Sequence, residues 1–83
     1  GAAKDDPTFA ALRQWRLERS KTDGVPAYVV FHDATLAEIA ARGPRSLKEL
    51  GKISGVGPTK LQRYGEEVLR VLVGKKAQVG KKA

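Results

Sequence analysis

Three glycine-centred stops cut this chain into short runs: Asp23-Gly24, Gly43-Pro44 and Gly55-Val56-Gly57-Pro58. Glycine ends a helix at low cost because it accepts left-handed backbone angles, and a proline beyond the end cannot extend it. Between the stops, apolar residues recur mostly at helical spacing. The pattern therefore predicts an all-α chain, a compact bundle of four to five short helices. The 83 residues make one domain at most. A chain of that size buries only about 60–65% of the surface it exposes when unfolded. There is no cysteine to add a disulfide or a thiolate metal site, and a single histidine, His32, excludes a His-based zinc site. No cofactor is expected, and the small core must hold by packing alone.

The first helix is expected from about Asp6 to Lys21. Asp6 precedes Pro7, so it is a natural N-cap. Phe9, Leu12, Trp15, Arg16 and Arg19 share one face at 100° per residue. Trp15 reads as core, and the two arginines read as margin residues with buried stems and wet guanidinium groups. Val25–Phe31 is β-branched and aromatic, yet no second strand exists to pair with it. A largely buried connector with one 3₁₀ turn is the better expectation. A second helix spans about Asp33–Arg42, capped by His32 or Asp33, with Leu36, Ile39 and Ala40 inward. Ser46-Leu47-Lys48-Glu49 is a capping box that opens a short third helix. Gly55-Val56-Gly57-Pro58 is a tight hairpin whose proline begins a fourth helix, from Pro58 to about Val73. Gly65, inside that helix, implies close packing against a neighbour.

The ends of the chain differ from its body. Residues 1–4 read as a remnant or frayed terminus, residues 5–74 as the folded domain, and residues 75–83 as a flexible basic tail or linker. The net charge is +7, but five of the sixteen basic residues are Lys4, Lys75, Lys76, Lys81 and Lys82. Residues 5–74 carry eleven basic and nine acidic residues, a net of +2. A polyanionic partner is implied only if the body's cations cluster on one face. The longest apolar run, Val25–Phe31, is far short of the roughly 20 residues that span a bilayer, so no membrane partner is expected.

Three segments in order carry a resemblance. They are Leu12-Arg13-x-Trp15-Arg16; Val25-Pro26-Ala27-Tyr28-Val29-Val30-Phe31 followed by Asp33-Ala34-Thr35-Leu36; and Leu50-x-x-Ile53-x-Gly55-Val56-Gly57-Pro58-x-Lys60-Leu61-x-x-Tyr64-Gly65. Together, over roughly Thr8–Val73, the chain resembles an HRDC domain, the "helicase and RNase D C-terminal" module. It departs from the family at His32, where asparagine or serine usually caps, and at Arg19, where an apolar residue is common. The resemblance implies a non-catalytic auxiliary domain of a RecQ-type or UvrD-like helicase, or of an RNase D-like exonuclease. It implies single-stranded or branched DNA as partner, with RNA possible, together with the parent's other domains. A monomer is expected for the isolated domain, acting in the cytoplasm at the nucleoid, or in a nucleus.

Candidate contacts divide into three groups. The hairpin Gly55, Val56 and Gly57 resembles a helix-hairpin-helix turn. Its glycines could let a phosphate approach the backbone at the start of the fourth helix, or could simply make a tight turn. Lys60, one turn in, could add its charge to the same phosphate. Tyr28 is either a core residue or an exposed ring that stacks on an unpaired base; the family associates an aromatic here with single-strand contact. Lys48, Lys52, Lys60 and Arg63 bracket the hairpin, and Lys21 ends the first helix. They form either a patch following a phosphate backbone, extended by Arg42 and Arg45, or an ordinary solvated surface. The rival function is a protein-interaction or intramolecular docking module. Catalysis finds no support: no phosphate-loop or nucleophile motif is present, and the carboxylate pairs Asp5-Asp6 and Glu66-Glu67 do not converge on one centre.

Overall fold

Asp6 starts the first helix by accepting the Thr8 backbone N–H at 2.8 Å, and Pro7 occupies the first helical position. The computed structural model describes residues 6–81, with side chains as far as Gly74. The expectation of a remnant over residues 1–4 lies outside them. Among the described residues, five helices follow one another: α1 (Pro7–Asp23), α2 (Ala27–Val30), α3 (Asp33–Arg42), α4 (Leu47–Gly51) and α5 (Pro58–Lys81). Among the described residues there is no strand.

The stops act where local chemistry places them. Gly24 and Gly43 take left-handed angles, φ 69° and φ 56°, and their N–H groups bond back to the ends of α1 and α3. Ser46 Oγ accepts the Glu49 N–H at 3.1 Å. The return bond of the capping box shifts by one residue: Glu49 Oε1 accepts from the Arg45 N–H at 2.8 Å.

Three expectations are corrected. Val25–Phe31 holds a single α-helical turn rather than a 3₁₀ turn, and it is only half buried. Val30 and Phe31 face inward, whereas Tyr28 is 60% exposed and Val29 42%. One helical turn cannot hide four consecutive bulky residues, so part of it faces solvent. The last helix does not end near Val73 but continues through Lys81, over most of the segment expected to be a flexible tail. Once nucleated, a helix gains one hydrogen bond per residue, and glycine interrupts it at a cost of only about 1 kcal/mol. Finally, the Arg16 guanidinium is not wet. The residue is 7% exposed; Nη1 donates to the Phe31 carbonyl at 2.8 Å, and Nη2 pairs with Asp33 at 2.6 Å.

The core gathers Phe9 and Leu12 from α1, Val30 and Phe31, Leu36 and Ile39 from α3, Leu50, Ile53 and Val56, and Tyr64, Val68 and Leu72 from α5. Trp15 sits half-buried at its edge, beside Phe31 and Tyr64, and donates through Nε1 to Glu67 at 2.9 Å. Helices α1 and α5 run antiparallel, since Tyr64 meets Asp23 and Glu67 meets Trp15. Gly65 allows the close packing expected of it: a Cβ there would come within 2.7 Å of a Leu47 methyl.

Candidate nucleic-acid interface

The hairpin's three residues do three different things. At Gly55, φ is 94°, and a Cβ would meet Thr35 Oγ1 at 2.2 Å. Its missing side chain makes room for buried Thr35 rather than for a ligand. Val56 is 5% exposed within the core, and its N–H donates to the Ile53 carbonyl at 3.0 Å. Neither its side chain nor its amide is free for a phosphate, which removes Val56 from the candidate contacts. Gly57 differs: no atom would lie within 4 Å of a Cβ there. Its carbonyl accepts the Leu61 N–H at 2.8 Å, making it the N-cap of α5. Pro58 has no N–H, so Thr59 and Lys60 supply the amides that precede the first intrahelical bond.

Lys60 turns sideways from the helix start. Its Nζ donates to the Val29 carbonyl at 3.0 Å and lies 5.5 Å from the centre of the Phe31 ring. An ammonium carries three donors, so this bond leaves two. Val29 follows Tyr28 directly, so the bond ties the start of α5 to the backbone of the connector that carries the exposed Tyr28 ring. That ring lies against His32, with centroids 6.1 Å apart and planes 24° from parallel. The core reading of Tyr28 therefore fails, while the exposure that stacking requires is present.

Asp23 organises the region below. It accepts the Tyr64 hydroxyl at 2.9 Å and pairs with Arg19 at 3.3 Å; Arg63, 59% exposed on its side chain, stands 3.8 Å away. Burial, and then the Asp23 hydrogen bond, raise the Tyr64 pKa above its ordinary value. Arg19 also meets Glu67 at 3.4 Å. Asp23 was legible only as part of a turn, because nothing in Asp-Gly signals two long-range partners, Tyr64 and Arg63.

The expected basic patch divides across α5. Leu61 and Gly65 face α4, where they pack against Gly51 and Leu47. Lys60 and Arg63 face α1 and α2 instead, toward Asp23 and Val29. Lys21 is exposed in the last turn of α1. Lys48 on α4 and Lys52 at its C-cap are exposed on the other flank; Lys52 lines a shallow depression with Arg42 and Glu49. Arg42 is engaged by Glu38. Among the described residues, no group of His, Asp and Glu is arranged to hold a metal ion, and no helix is long and apolar enough to cross a membrane.

Residues 5–72 match the HRDC domain family. The chain belongs to that family. The solved structure titled "D. radiodurans RecQ HRDC domain 3" superposes on this HRDC domain with a TM-score of 0.76 and 43% identity, covering 78% of this chain and 86% of that one. The ATP-dependent DNA helicase UvrD2 of Mycobacterium tuberculosis is 42% identical over 71 residues, 86% of this chain but 10% of that protein. The ATP-dependent DNA helicase RecQ of Haemophilus influenzae is 40% identical over 73 residues, 88% of this chain and 12% of that protein. Ribonuclease D of Sphingobium indicum is 37% identical over 49 residues, 59% of this chain and 13% of that protein. The HRDC domain thus spans about a tenth of the length of the helicases it matches.

Proposed function

We propose that this domain is a non-catalytic accessory module that holds single-stranded or branched DNA for a larger ATP-dependent DNA helicase. The observation that carries this reading is the 60% exposure of the Tyr28 ring, on a connector whose next residue, Val29, is held through its carbonyl by Lys60. An unpaired base can stack on the ring while its phosphate meets the ammonium and the orphan amides of Thr59 and Lys60. Gly57 leaves space for the backbone of the strand to come close. Arg63, near Asp23, extends the same side, and exposed Lys21 at the end of α1 adds a further phosphate contact in this reading. Lys48 and Lys52 belong to a separate and weaker phosphate contact. Binding is electrostatic and sequence-tolerant, and RNA remains a substrate of the same chemistry. A helicase parent is favoured over a nuclease because the helicase relatives cover more of the chain. The domain would then act at the nucleoid, or in a nucleus, as a monomeric unit of that parent.

A titration of labelled oligothymidylate over a salt series tests this. Tyr28→Ala weakens binding by about 1–3 kcal/mol with little change in salt slope, because stacking releases few counterions. Lys60→Ala weakens binding and flattens the slope by about one phosphate contact. Wild-type affinity in both variants would overturn the mechanism.

A docking role has its own support at the opposite end of the bundle. Thr8, Ala40, Pro44, Leu69, Leu72 and Val73 line a largely apolar groove of about 290 Å³. A domain that ignored single strands yet bound the parent's other domains through this groove would favour that second reading.

A further inference from the structure

We propose that His32 is a second stacking residue, which with Tyr28 forms a two-ring platform for consecutive unpaired bases. This inference rests on the single-strand reading of Tyr28 and extends it.

His32 occupies the N-cap position of α3, yet its side chain makes no capping hydrogen bond. It is exposed, so neither helix start nor core uses the imidazole. Its ring instead lies beside that of Tyr28, near-parallel at 24°. The two rings come from successive elements, α2 and the start of α3, and the backbone under both is pinned. Arg16 grips the Phe31 carbonyl at 2.8 Å and the Asp33 carboxylate at 2.6 Å, the residues on either side of His32. Lys60 grips the Val29 carbonyl on the far side of the turn. A ring on a fixed backbone loses little further freedom when it binds. Asp33 is the carboxylate next to the platform, and its pairing with Arg16 offsets the charge that would repel a phosphate. A base has a π-face whatever its identity, so a strand on such a surface is held without sequence preference.

The 83-residue chain is titrated with labelled oligothymidylate as wild type, His32→Ala, His32→Phe and Tyr28→Ala, with thermal melts confirming that each variant folds. His32→Ala should weaken binding about fivefold or more with an unchanged salt slope, the lower end of a lost stacking contact. His32→Phe, which keeps a ring face, should bind as wild type. In the wild-type protein, oligothymidylate should move the His32 ring-proton resonances upfield, a readout that needs no variant. The proposal is overturned if Tyr28→Ala weakens binding while His32→Ala does not, if His32→Phe is as weak as His32→Ala, or if the ring protons do not shift. If Tyr28→Ala itself binds as wild type, the single-strand reading of the connector falls, and this inference falls with it.

Discussion

Two surfaces flank the start of α5, and both hold cations. On the connector side, Lys60 and Arg63 are held by Val29 and Asp23, and the same connector carries the exposed rings of Tyr28 and His32. On the hairpin side, Lys48 stands on the short helix α4 and Lys52 at its C-cap, and two of the three residues that resembled a ligand-binding loop are taken up by packing. Gly55 makes room for Thr35, and Val56 fills core. The hairpin thus acts chiefly as the joint that aims α5, while the chemistry suited to a strand gathers on the neighbouring connector. A motif's position in sequence and the surface it serves are separate matters.

The largest test of that contrast lies inside the hairpin. Gly55→Ala drives a Cβ into Thr35 and strains a positive φ, so it should destabilise the fold by about 3 kcal/mol. Gly57→Ala meets no atom and should cost less than about 1 kcal/mol, the scale of a changed N-cap. Urea unfolding of the two variants gives the comparison directly. Equal midpoints would mean that the hairpin is not the packed joint described here.

The connector has its own dependence, on buried Arg16. Arg16→Met leaves the Phe31 carbonyl without its donor and should cost about 2 kcal/mol. It should also change the acid limb of stability. The Arg16 hydrogen bond and charge hold the Asp33 pKa below its ordinary value. A depressed carboxylate contributes stability that is present above its unfolded pKa of about 4 and lost as pH falls through the folded value. Wild-type stability should therefore drop below about pH 4 more steeply than that of Arg16→Met. Parallel acid curves would show that the pair contributes nothing.

The smallest effect compares single lysines across α5. Lys60→Ala should flatten the salt dependence of single-strand binding by about one phosphate contact, and Lys52→Ala by less. The reverse order would move the strand to the hairpin side. Deciding between them needs only the two slopes, measured on folded variants with the same oligonucleotide.

Some of this molecule is written in its local sequence. Asp6-Pro7, Gly24, Gly43 and Ser46 begin or end helices because capping is an exchange between residues two to five apart, and all four act as the chain implied. The spacing of Phe9, Leu12, Leu36 and Ile39 likewise named core residues correctly. The family was legible too, because its three segments are contiguous. Exposure was not, since it depends on what packs where. Tyr28 and Val30 are two places apart in one apolar run, and only the seating of α2 on α1 and α5 turns one outward and buries the other. The same holds for Arg16, whose burial required a carbonyl and a carboxylate fifteen or more residues away, and for Asp23, whose partner Tyr64 lies 41 residues on. Gly55 and Gly57 look alike in sequence; Thr35, on another helix, makes them different. Local hydrogen bonds determined the elements, whereas side-chain burial and pairing are long-range properties that only the assembled bundle could decide.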